Sequence, residues 1–229
     1  MNIINKPGES GWPVLCRRPE MQLDFLEGAV KNILSRVQNS GDAALRELTL
    51  QFDQVQLNEL RVNGTEVEEA IRAVPIQLKN AILLAAKNIA KFHEAQKREI
   101  TKIETTPGVV CWRKAEAIQK IGIYIPGGSA PLFSTVLMLG IPAQLAGCRE
   151  IILCSPPDSN GKINPAILFA ANLAGISNIF KVGGAQAIAA MARGTETIPS
   201  VYKIFGPGNQ YVTKAKQLVN LEGTAIDLP

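Results

Sequence analysis

Histidine is almost missing from this sequence: His93 is the one example in 229 residues. A histidine-built metal centre, or a catalytic site that depends on several imidazoles, is therefore excluded within this chain. The four cysteines, Cys16, Cys111, Cys148 and Cys154, form no Cys-x-x-Cys pair, so a zinc ribbon is not supported. An apolar signal core is missing from the opening Met1-Asn-Ile-Ile-Asn-Lys-Pro7. The thiols are expected to be reduced and the compartment cytoplasmic. On that ground the sequon Asn63-Gly64-Thr65 reads as a chance match on a turn. A strong charge bias is missing too: 24 basic against 20 acidic residues leave +4, with no long basic run and no nucleic-acid footprint.

What is present describes a globular chain. The composition is 46% hydrophobic, 19% charged and 5% aromatic, which excludes a disordered chain, a collagen-like chain and a coiled coil. From Ile121 to Cys148 there is no charged residue. That run is long enough to span a bilayer. It also contains Pro126, Pro131 and Pro142 and five glycines, so a buried strand, a tight turn and a buried helix account for it, and no membrane contact is expected.

Charge and glycine divide the chain near residue 120. Residues 1–120 hold 32 of the 44 charged side chains and 6 of the 19 glycines; residues 121–229 hold the other 12 and 13. Two regions are expected: a helix-rich N-terminal segment, 1–120, forming part of an incomplete domain, and an α/β domain, 121–229. In the first, Leu26, Val30, Ile33, Leu34 and Val37 share a helical face, with Gly41 as a stop. Ala44, Leu45, Leu48 and Phe52 form a second stripe. Thr65 and Glu68 have the spacing of a capping box. Pro75 ends that helix, and Leu78, Ile82, Leu83, Ala86, Ile89 and His93 predict a long helix to about Lys97. His93 reads as a helix-surface or packing residue. Val109–Trp112 predicts a short strand entered through Pro107-Gly108.

The second region repeats one unit four times: strand, small-residue turn, helix. The strands are Ile121–Ile125, Ile151–Cys154, Ile179–Val182 and Tyr202–Phe205, and Ala225–Leu228 begins a fifth. The turns are 126–128, 155–157, 183–184 and 206–208. This rhythm predicts a parallel sheet with right-handed crossovers and all four turns on one edge. Ligands of such sheets bind beyond the carboxyl ends of the strands. Glycine lets backbone N–H groups approach an anion, and each turn feeds a helix N-terminus. A nucleotide or another phosphate-bearing ligand is the natural occupant. Gly206-Pro-Gly208-Asn-Gln-Tyr211 begins like a dinucleotide fingerprint but ends in tyrosine, and no P-loop is present. Cys148 and Cys154, at a helix end and in a strand, read as packing residues.

Several of these segments resemble the histidinol dehydrogenase family: Ile121 to Leu139, Cys154-Ser-Pro-Pro157, Val182-Gly-Gly-Ala-Gln-Ala-Ile-Ala-Ala190 and Lys203-Ile-Phe-Gly-Pro-Gly-Asn209. The resemblance implies a Rossmann-like fold grouped with the aldehyde dehydrogenases. It implies a zinc- and NAD-dependent enzyme that oxidises L-histidinol to L-histidine through an enzyme-held aldehyde, as a homodimer with a shared active site. It assigns Tyr124, Gln186 and Asn209 to the NAD site. The family's zinc ligands, catalytic glutamate–histidine pair and histidinol-binding residues match no position here, and family members continue for about as long again. Residues 1–229 alone are therefore expected to be inactive and to hold no catalytic or zinc-binding residue. A non-catalytic dinucleotide-binding or dimerising module is the alternative. A phosphate-ligand transferase is disfavoured, because no base or metal cluster accompanies the turns.

Overall fold

The computed structural model describes residues 3–17, 24–97, 99–128 and 130–227. After a short helical turn, α1 (Trp12–Leu15), come three helices: α2 (Asp24–Asp53), α3 (Gly64–Ala73) and α4 (Ile76–Glu94). An antiparallel hairpin follows, β1 (Lys102–Thr106) and β2 (Val109–Trp112). The remainder alternates strictly: β3 (Lys120–Tyr124), α5 (Phe133–Ala146), β4 (Glu150–Ser155), α6 (Pro165–Leu173), β5 (Asn178–Lys181), α7 (Gly184–Arg193), β6 (Lys203–Phe205), α8 (Gln210–Leu221) and β7 (Ala225–Ile226).

The five later strands form one sheet in the order β5-β4-β3-β6-β7, every neighbouring pair parallel. The chain moves outward from β3 to β5, returns to the other side of β3, and moves outward again. That reversal between β3 and β6 is the topological switch point of a Rossmann-like sheet. The expected fifth strand is present as β7, though Leu228 lies outside the described residues.

Side-chain alternation explains the layers. Ile121, Ile123, Ile151, Leu153 and Ile179 face one core, shared with Ala70 of α3, Ile82 of α4 and the buried faces of α5 and α6. Tyr124, Ile152, Cys154, Phe180 and Ile204 face the opposite core, shared with α2, α7 and α8. Strand residues alternate between faces, so a sheet covered on both sides needs apolar residues at nearly every position. The helices of the charged first region thus lie directly on the sheet. Leu45 and Leu48 of α2 are fully buried. Each such leucine contributes about 1.5–3 kcal/mol through removal from water.

Some local details depart from the sequence expectations. The stripe from Leu26 to Val37 is buried as predicted, but Phe52 is 52% exposed. The chain turns at Gln54, with φ 56, and Val55 and Leu57 fill the core where the end of α2 overhangs it. Asn63, rather than Thr65, caps α3: its side-chain oxygen accepts the Glu66 N–H at 2.9 Å. Helix α3 starts two residues earlier than a Thr65 cap would allow, and Asn63 satisfies the free donor. Leu83 of α4 is 46% exposed, and α4 ends at Glu94. His93 is half-buried, edge-on to Phe92, with Nδ1 3.0 Å from Gln96 Oε1. Among the described residues no helix is long and apolar enough to cross a membrane.

Candidate functional site

Four strand-ending turns meet at the carboxyl edge of the sheet. Pro156, after β4, sits between two of them: a Cβ built on Gly127 would lie 2.7 Å from its Cγ, and one on Gly183 2.6 Å from its Cβ. The Gly184 N–H, at the start of α7, donates to the Tyr124 hydroxyl at 3.0 Å. Gly206, after β6, lies so close to the Tyr124 carbonyl that any Cβ there would collide with it, and its φ of +126 is a glycine conformation. The turns predicted to share an edge therefore touch one another.

The three residues singled out from the sequence stand here in different ways. Tyr124 ends β3 and is 3% exposed. Its ring packs in the core, and its hydroxyl holds the first amide of α7. Burial pushes its pKa up to about 12; the Gly184 N–H opposes that shift, and the nearby Asp53 carboxylate adds to it. Gln186 is 2% exposed, on the first turn of α7, and its side-chain oxygen lies against Gly184. Tyr124 and Gln186 are thus brought together around Gly184. Asn209 is exposed and caps α8, its side-chain oxygen accepting the N–H groups of Tyr211 at 3.0 Å and Val212 at 3.1 Å. Its carboxamide nitrogen makes no hydrogen bond among the described residues.

Beside Asn209 opens a cleft of about 420 Å³, lined by Gly206, Pro207, Gly208, Thr213, Lys216, Ile226 and Asp227. Lys216 is not among the residues that the turn motifs point to. A signal for it exists: it falls on the apolar stripe of α8 with Val212, Ala215 and Val219, where a charge needs a built partner. That partner is Asp227.

Other polar groups are accounted for differently. The thiol of Cys154 is fully buried and that of Cys148 half-buried, and burial raises both pKa values, which keeps them protonated and unreactive. A smaller cleft of about 230 Å³ contains Glu66, Glu69 and Asp158. Glu66 pairs with Lys181, Glu69 with Lys162, and Asp158 accepts the N–H groups of Asn160 and Lys162. Among the described residues no three His, Cys, Asp or Glu side chains converge in a way that could hold a metal ion.

The sequence model of the family described as Histidinol dehydrogenase matches residues 16–229. The chain belongs to the histidinol dehydrogenase family. Histidinol dehydrogenase from Bacteroides fragilis (strain YCH46) is 59% identical over 229 residues, all of this chain and 54% of that protein. The enzyme of that name from Bacteroides thetaiotaomicron is 56% identical over the same span, again 54% of its length. The crystal structure of histidinol dehydrogenase from Elizabethkingia anophelis superposes with a TM-score of 0.93 at 56% identity, covering 97% of this chain and 52% of that one. The chain thus spans about half the length of the histidinol dehydrogenases it matches. The described residues do not fit a histidinol dehydrogenase zinc site. At the turn between β6 and α8, the backbone N–H groups of Gly208, Asn209 and Gln210 and the Asn209 carboxamide nitrogen have no hydrogen-bond partner among the described residues.

Proposed function

We propose that this chain forms the dinucleotide-binding part of an NAD- and zinc-dependent histidinol dehydrogenase, which oxidises L-histidinol to L-histidine through the aldehyde. The observation that carries the reading is the convergence of the four strand-ending turns, with a cleft at the Gly206–Asn209 turn, in a chain of this family. NAD, when bound, supplies the hydride acceptor. Asn209 does two things in this reading: its oxygen caps α8 and its free amide nitrogen donates to the nucleotide. Gln186 and Tyr124 act from beneath, at the Gly184 turn, whose first amide the Tyr124 hydroxyl holds.

The zinc ligands and the proton-transfer residues of the reaction are assigned to parts of the enzyme outside residues 1–229, and this segment alone is inactive. The enzyme is placed in the cytoplasm, as a homodimer. The β1–β2 hairpin supports the dimer: every residue in it is exposed, Ile103, Val109, Val110 and Trp112 included, and an isolated two-stranded hairpin is barely stable in water without a covering surface. The test is NADH formation from L-histidinol with added zinc, comparing the full-length protein with purified residues 1–229 whose folding is checked by circular dichroism. Turnover by the full-length protein and none by the folded segment is expected. Turnover by the segment itself overturns this division of labour.

A further inference from the structure

We infer that Lys216 and Asp227 are positioning residues for the nucleotide, a two-residue clamp that sets the shape of the Gly206–Asn209 turn. The inference rests on the reading of this edge as the dinucleotide site and names the residues that shape it.

The clamp holds both polar groups of one residue. The Gly206 N–H donates to Asp227 Oδ2 at 2.9 Å. The Gly206 carbonyl accepts from Lys216 Nζ at 3.0 Å. Lys216 and Asp227 are themselves ion-paired, closing the triangle, and the Lys216 side chain is only 7% exposed. Among the described residues the last rung between β6 and β7 is the Asp227 N–H to the Ile204 carbonyl, at 3.2 Å. At Gly206 both backbone polar groups are held by side chains. Pro207 has no N–H to contribute, and the Tyr124 backbone bars Gly206 from moving towards β3. The direction in which the chain leaves β6, and so the placing of Gly208, Asn209 and the first turn of α8, is fixed by one ammonium and one carboxylate.

Both charges also line the cleft. Because Asp227 neutralises Lys216, the cleft offers an anionic ligand the amides of the turn rather than a free ammonium. Gly208, Asn209 and Gln210 carry backbone N–H groups with no partner among the described residues, and only Pro207 separates them from the clamped glycine. An unclamped Gly206 would present those amides in many arrangements, and a ligand would have to order them at its own cost.

The experiment is steady-state kinetics of the full-length enzyme with NAD as the varied substrate. Loss of binding that is equal in ground and transition states raises KM and leaves kcat in place. Lys216→Met is expected to raise the KM for NAD about tenfold or more, with kcat at saturating NAD within about threefold of wild type. Lys216→Arg, which keeps a donor and the charge, is expected to recover most of the loss. Asp227→Asn keeps the side-chain volume but sets an amide donor against one of its two donors. It is expected to raise KM as well, and it carries the test if Lys216→Met does not fold. A purely structural role would lower the active fraction, and with it kcat, at unchanged KM; that result in Lys216→Met or Asp227→Asn overturns the clamp. Asn209→Ser separates the two layers. If it raises KM while the clamp variants do not, the clamp alone is wrong. If neither raises KM, the reading of the edge is wrong, and the clamp falls with it.

Discussion

Asn209 caps α8 and is proposed to bind the nucleotide, and the two roles can be pulled apart. Its oxygen caps α8, and loss of a cap costs about 0.5–2 kcal/mol of stability. Its amide nitrogen is the group assigned to the nucleotide, and leaving a buried partner unpaired costs about 1–3 kcal/mol of binding. Asn209→Ala confounds the two. Asn209→Ser keeps a capping oxygen, so it is expected to unfold within a few degrees of wild type and to bind NAD more weakly; calorimetric titration with parallel thermal melts measures both. Tyr124 makes a prediction in pH. Its folded pKa, about 12, lies above the ordinary 10, so the unfolded chain releases this proton first. The corresponding stability is complete below pH 10 and is lost as pH rises towards 12. Two pKa units correspond to about 3 kcal/mol. Tyr124→Phe is expected to flatten that alkaline loss in urea titrations from pH 9 to 12, at the cost of an unpaired Gly184 N–H at neutral pH. An equally steep loss in the variant would assign it to other groups. The family resemblance singled out Tyr124, Gln186 and Asn209, and all three stand at strand-ending turns in the fold. Whether a ring at a strand end faces a ligand or the core is decided by how closely the neighbouring turns pack, and no local pattern encodes that.

Helix α2 shows how a single glycine organises an element. Gly41 has φ 49 and ψ −128 inside an otherwise continuous helix, and a Cβ there would collide with the Glu196 carboxylate. That carboxylate accepts the Asp42 N–H at 2.7 Å, and the Asp42 carboxylate accepts from the N–H and hydroxyl of Thr197. The break in α2 is thereby locked to the loop that follows α7. Gly41→Ala forces a side chain into both a forbidden conformation and an occupied space. It is expected to cost about 1–3 kcal/mol in denaturant unfolding; a neutral result would mean that α2 can straighten. The break at Gly41, the strands of the parallel sheet and the four turns could be read from the sequence, because glycine position and hydrophobic period are local signals. The Asn63 cap competed with an equally plausible Thr65, two residues away. Strand β1, Lys-Ile-Glu-Thr-Thr, carries no apolar alternation strong enough to announce itself. Lys216 and Asp227 lie on different elements, and their pairing needs the parallel register of β6 with β7.

Across the whole molecule, the division near residue 120 marks where composition changes. The helices before it lie on both faces of the sheet that follows: α2 packs with α7 and α8 on one side, and α3 and α4 with α5 and α6 on the other. The contrast in charge has a plain cause. The early helices lie on the outside and solvate one face each, whereas the strands and their crossover helices are enclosed. On the proposed function, the carboxyl edge, with the Gly206–Asn209 turn at the switch point, is where the nucleotide meets backbone amides. Amide hydrogen exchange of the full-length protein with and without NAD tests that claim directly. Slowed exchange in peptides covering 183–186 and 206–211, with little change in α3 and α4, is the result expected. Protection by NAD that leaves both of those segments unchanged would contradict the account.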